Sequence, residues 1–228
     1  MSDQMDPAIA EAITHETGLS HPLPAEALAA IDYLHVSYAR SLVSLSDLRG
    51  LEILQLIGCD PVDLAQLGNL PKIVTIVAQF SNLESLSGIE NFPSLTRLTI
   101  EMNQIRDLDP LLQCPKLRHL AIQGNPLSEN SYREIVPQLQ EKGIRVSFSD
   151  EPDWQMTIEL QRRGFPYCFY KAHDGTRICR PGLALTDLPD LSHPIVSREE
   201  LTKLLDQSPE EVPGLFERKD LMPTTFGP

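Results

Sequence analysis

The chain has 228 residues, 41% apolar and 22% charged, ordinary usage for a globular protein and long enough for a core without metal or disulfide staples. Asp and Glu outnumber Lys and Arg by 32 to 19, a net charge of −13 that argues against a phosphate-binding surface and so against nucleic-acid binding. No apolar run approaches the ~20 residues of a membrane span, the opening MSDQMDPAIAEAI has no secretory-signal pattern, and four scattered cysteines form no disulfide framework, so a cytoplasmic protein is expected.

In chain order, Asp6-Pro7 predicts a short helix carrying Ile9 and Ile13 and stopped by Gly18. Residues 1–30 therefore read as an N-terminal helical cap. The segment IDYLHVSYARSLVSLSDLRG supplies Ile31, Leu34 and Val36 for a strand and Leu42, Leu45 and Leu48 for its return. From Leu51 the chain falls into lines of 22 residues. One apolar column holds Leu51, Ile73, Leu95 and Leu117; the next two hold Leu54, Ile76, Leu98, Leu120 and Leu56, Ala78, Ile100, Ile122. The ninth column reads Cys59, Ser81, Asn103, Asn125, and Pro71, Pro93 and Pro115 close each line.

At these positions the sequence resembles the leucine-rich repeat family, L-x-x-L-x-L-x-x-N/C-x-L, in its short, internalin-like form. The resemblance spans about residues 31–148. It implies an α/β solenoid whose short parallel strands line a concave face and whose stacked repeats share one core. Asn103 and Asn125 are expected to hydrogen-bond backbone groups of neighbouring coils, with Cys59 and Ser81 doing so less well. The segment 20 residues long before Leu51 fits an atypical terminal repeat.

After the last full line, SENSYREIVPQLQEKG is helical in pattern, with Ser131 and Glu134 at capping-box spacing, Pro137 as a break and Gly143 as the stop. GIRVSF then predicts a final strand through Ile144 and Val146. Residues 149–228 lack the repeat and form a small α+β C-terminal extension. It has an expected helix at Asp153–Arg163, a hairpin about Asp174-Gly175, a proline-rich stretch LALTDLPDLSHPIV, and a helix capped by Ser197 and Glu200. These residues carry no familiar pattern.

Side chains alternate along a strand, so flanking the buried leucines should leave the others on the concave face. Those positions are Tyr33, His35, Ser37, Tyr38, Ile53, Gln55, Ile57, Thr75, Val77, Gln79, Phe80, Arg97, Thr99, Glu101, Met102, His119, Ala121 and Gln123. So many aromatic, aliphatic and Met side chains on one expected surface point to protein recognition, with Tyr38 and Phe80 as anchors. The alternative is that the extension or the cap folds over this face.

No nucleophile–base, Walker, dinucleotide or H-E-x-x-H pattern occurs, so a non-enzymatic module without cofactor is expected. Cys168, Cys179, His173 and His193 lack the paired spacing of a zinc site, and no metal is expected. The expected partner is a protein, and the acidic charge suggests a basic one, as a bacterial immunity protein (antitoxin) would meet in a toxin. Two alternatives are a regulatory or scaffold protein docking a cellular enzyme, and a small effector or enzyme domain at 149–228 centred on Cys168, His173 and Asp174.

Overall fold

The computed structural model describes residues 5–19, 22–60, 62–182 and 192–223. Six parallel strands form one sheet in chain order: β1 (Tyr33–Ser37), β2 (Ile53–Ile57), β3 (Thr75–Gln79), β4 (Arg97–Thr99), β5 (His119–Ala121) and β6 (Arg145–Ser147). The register pairs Leu34, Leu54, Ile76, Leu98, Leu120 and Val146 in one row, so each strand sits one repeat from the last. The chain is thus a leucine-rich-repeat solenoid. The final step is longer than 22 residues because the helical segment 131–141 replaces the usual short return.

Leu34, Leu54, Ile76, Leu98 and the row Val36, Leu56, Ala78, Ile100 are fully buried. So are Leu45, Leu64 and Leu108, which the 3₁₀ returns bring back from the opposite wall. A single coil has no second layer to cover its own leucines. Stacking gives each coil two apolar neighbours, and burial of each leucine contributes about 1.5–3 kcal/mol. Successive returns approach closely. A Cβ on Gly88, whose φ is +91°, would lie 2.6 Å from the Ala65 nitrogen.

Polar groups inside the coils are satisfied by the ninth column. Asn103 Oδ1 accepts from the amides of Ser81 and Leu83, both at 3.0 Å, and its Nδ2 donates to the carbonyls of Ala78 (2.6 Å) and Glu101 (3.1 Å). Asn125 repeats this one coil on, accepting from Ile105 and donating to Ile100 and Ile122. Ser81 accepts from the Cys59 amide at 3.3 Å, and the Cys59 thiol reaches the Val36 carbonyl only at 3.6 Å. Burial pushes that thiol up to about 11, so it stays a protonated, weak donor. The ladder therefore loosens toward the N-terminus, as its composition implies. Beyond Asn125, Ser149 Oγ accepts from the Gly124 amide and extends the ladder by one coil.

The cap is helix α1 (Pro7–Thr17), followed by the short α2 (Ala25–Ala29). Asp6 caps α1 through the Ala8 amide, and its other oxygen accepts from the amides of Arg40 and Ser41, tying cap to first repeat. Ile9 and Ile13 close the core beside β1. At the other end a π-helical turn, Ser131–Ile135, leads into α3 (Val136–Glu141).

The expected capping box at Ser131 is corrected. Ser131 is fully buried and accepts from the Leu108 amide, while Ser128 Oγ accepts from the Ser131 amide. Interior hydrogen bonding, not capping, holds that serine.

The extension comprises α4 (Glu151–Arg162), the antiparallel pair β7 (Cys168–Ala172) and β8 (Gly175–Cys179), and α5 (Arg198–Gln207). Helix α4 begins at an Asp150 cap, two residues ahead of expectation; the Ser197–Glu200 capping box is present. A second apolar cluster joins Leu160, Phe169, Ile178, Leu201 and Leu205. Trp154 enters the solenoid core instead, stacked on Tyr132 at 4.0 Å and donating to the Leu127 carbonyl. The proline-rich stretch falls largely on 183–191, outside the described residues. Among the described residues no helix is long and apolar enough to cross a membrane.

Asn103→Ala removes the side-chain partner of the buried Ser81 and Leu83 amides and of the Ala78 carbonyl and is expected to cost about 3 kcal/mol or more; Ser81→Ala should cost about 1 kcal/mol. Urea midpoints of the two variants check the ordering, which a merely decorative ladder would not show.

Candidate functional site

The eighth position of each coil, just after the strand, sits in the left-handed region: Tyr38 (φ 64°), Gly58 (61°), Phe80 (54°), Met102 (51°) and Gly124 (75°). Glycine adopts this conformation freely, whereas a side chain there costs about 1–2 kcal/mol. Alternation ends at this turn; Tyr38 stays beside Tyr33 and His35, whereas Phe80 and Met102 project past the strand ends.

There the hairpin meets them. Phe80 and Met102 are buried, at 6% and 5% exposure, in a cluster with Cys168, Tyr170 and Cys179. The expectation that Phe80 and Met102 face solvent is therefore corrected. Their contact with β7–β8 offsets the backbone strain. The Cys168 thiol donates to the Asn103 carbonyl at 3.1 Å, the Gly182 amide to the Phe80 carbonyl at 3.0 Å, and Gln123 Nε2 to the Lys171 carbonyl at 2.9 Å. His193 lies 5.0 Å from the Phe80 ring and 2.9 Å from the Tyr170 hydroxyl.

The same packing separates the residues of the enzyme alternative. Cys168 is buried at the start of β7 against Asn103, whereas Asp174, in the turn at the far end, pairs with Arg177 at 2.6 Å. Asp174 is held below its ordinary value chiefly by that Arg177 hydrogen bond.

The rest of the concave face stays open. Ile53 is 36% exposed, His35 and Arg97 are exposed, Tyr33, Gln55, Ile57, Thr75, Val77, Gln79, Thr99, Glu101 and His119 are half-buried, and Gln123 is half-buried with its amide on the hairpin. Polar members of the face brace one another: Tyr33 donates to Gln55 Oε1 at 3.3 Å and Gln79 Nε2 to Glu101 Oε2 at 2.8 Å.

Two hollows flank its apolar centre. At the N-terminal end, α1 stands beside β1 and encloses a cleft of about 620 Å³, where Glu11, His15 and Glu16 face Tyr33, His35 and Tyr38. At the C-terminal end a hollow of about 250 Å³ is lined by Arg97, Thr99, His119, Ala121, Arg145 and Ser147.

Arg145, Ser147 and the α1 wall were missed by the sequence columns. The longer final step hid Arg145 and Ser147. Aligning the strand expected through Ile144 and Val146 on Leu120 would have exposed them.

Burial of His193, with Arg177 adding to it, lowers its pKa from 6.5 to about 3. The unfolded chain thus takes up the proton first. The neutral imidazole's contribution is fully present above pH 6.5 and is lost as pH falls toward 3. Wild type should lose more stability than His193→Gln between pH about 7 and about 4 in urea unfolding; parallel losses would contradict it. Phe80→Ala should cost about 3–5 kcal/mol in the same assay, as a core residue does.

Neither a protein-family model nor a curated protein matches the chain. Among solved structures it is similar to internalin C2 from Listeria monocytogenes, at 21% identity over 68% of this chain and 80% of that one, TM-score 0.48. It is also similar to internalin F of the same organism, at 18% identity over 67% of this chain, TM-score 0.44, spanning 53% of that chain's length.

Proposed function

We propose that this chain is a non-enzymatic protein-recognition module whose docking surface is the concave sheet at β1–β3, centred on Tyr33, Ile53, Ile57 and Val77. The observation that carries this reading is selective cover. The extension buries the apolar side chains at the strand ends, Phe80 and Met102, and leaves those on the face uncovered. Neither the coil interior nor the extension packs on Tyr33, Ile53, Ile57 or Val77, so the solenoid has no structural need for isoleucine and valine there. Aromatic and aliphatic anchors beside polar groups such as Gln55 and Gln79 have the composition of an interface centre.

The six strands give a face roughly 25 Å long, matching a standard-sized interface. An immunity-type complex with a basic toxin would engage the exposed acidic flank at Asp32 and Glu52, beside the first two strands. Docking on a cellular enzyme would use the same apolar centre. Four free cysteines, three of them buried, suit a reducing compartment such as the cytoplasm.

The double variant Ile53→Ser/Ile57→Ser tests the reading. It should melt close to wild type, because both side chains leave the core untouched. It should also lose the partner that the wild-type chain captures from native lysate, with binding weaker by about 1–3 kcal/mol per anchor in calorimetry. Undiminished capture by the variant would refute the concave-face reading.

A further inference from the structure

We infer that the row Arg97–His119–Arg145, at the C-terminal end of the concave sheet, is a docking site for an acidic segment of the protein partner. The inference rests on the concave-face reading and specifies what the partner brings to one end of it.

Parallel pairing sets Arg97 opposite His119 and His119 opposite Arg145, so three basic side chains stand on adjacent strands about 4.8 Å apart. The two guanidiniums, on the strands either side of His119, repel one another across the row. None of the ion pairs among the described residues involves any of the three. Desolvation, and then the Arg97 and Arg145 guanidiniums, hold His119 below its ordinary value, so the positive charge of the row is that of the two guanidiniums with a neutral imidazole between them.

The hollow beside this row, about 250 Å³, has a floor of small side chains, Thr99, Ala121 and Ser147. In the same middle row, the coils before β4 carry larger groups, His35, Gln55 and Val77. Along this middle row an extended chain thus lies deepest over β4–β6. Arginine presents a planar fork that matches a carboxylate with two parallel hydrogen bonds, and the Thr99 and Ser147 hydroxyls can donate to the lone pairs left on the same two oxygens.

The setting sharpens the match. A chain of net charge −13 repels an acidic ligand over most of its surface, so attraction confined to this row fixes where and in which orientation such a segment lands. The same negative charge disfavours a nucleic-acid backbone, which would track a far larger surface.

The test is a nuclear magnetic resonance titration of the isotopically labelled full chain at low salt, with end-blocked hexaglutamate as probe. Hexalysine, inorganic phosphate and oligothymidylate serve as comparisons. The proposal expects saturable shifts confined to residues 97–99, 119–121 and 145–147, weakened roughly tenfold or more in Arg97→Gln/Arg145→Gln. Arg145→Gln alone, on the short edge strand, gives the same readout should the double variant lose stability. Dispersed shifts, unchanged binding by these variants, or equal or tighter binding of phosphate or oligothymidylate would overturn it.

The two readings fail separately. If hexaglutamate does not bind while Ile53→Ser/Ile57→Ser abolishes partner capture, the acidic docking site falls and the concave-face reading stands. If hexaglutamate binds this row while capture survives those substitutions, the concave-face reading falls.

Discussion

The structure depends on one buried amide side chain more than on any other group. Asn103 satisfies backbone of its own coil and of the preceding one, and its own carbonyl accepts the thiol of Cys168 from the hairpin. In a solenoid each turn of backbone carries N–H and C=O groups into a space walled by leucines, where an unpaired group costs about 1–3 kcal/mol. A regular sheet pairs those in the strands; the bends between strand and return have no such partner. The asparagine supplies one acceptor and two donors at that bend, and Asn125 repeats the arrangement one coil on. Because Asn103 holds both coil and hairpin, the repeat and the extension share a polar contact as well as an apolar one.

That constraint explains where the extension sits. Bends held by the ladder force the eighth residue of each coil into the left-handed region, and the side chains found there, Phe80 and Met102, project past the strand ends rather than over the sheet. A hairpin with Cys168, Tyr170 and Cys179 on its inner side covers them. The concave face is spared because nothing in this geometry directs the extension onto it. Selective cover is therefore a consequence of backbone conformation at one column of the repeat.

Much of this was legible in the residues. Leucine columns and the run Cys59, Ser81, Asn103, Asn125 depend on spacing alone, so they disclosed the coil, the strand row and the ladder with its weaker N-terminal half. Asp6-Pro7 and Ser197–Glu200 are local capping signals and were equally readable. Phe80 and Met102 were misplaced because each follows the last outward residue of its strand, Gln79 and Glu101, and was counted with the face although alternation turns it away; their positive φ leaves no mark in composition. Ser131 was misread for a related reason: its capping-box spacing is local, whereas its actual partner, Leu108, lies a coil away. Arg145 escaped because an inserted helical segment displaced it from the column shared by Arg97 and His119.

The central claim is that the extension seals the strand ends and leaves the sheet face bare. Hydroxyl-radical footprinting of the free protein, read residue by residue in mass spectrometry, tests it most directly. Tyr33 and Ile57 should be oxidised readily, while Phe80 and the intrinsically reactive Met102 stay protected as long as the fold is intact. Rapid oxidation of Met102 alongside a protected Tyr33 would mean that the tail covers the face and not the ends, and would contradict the account.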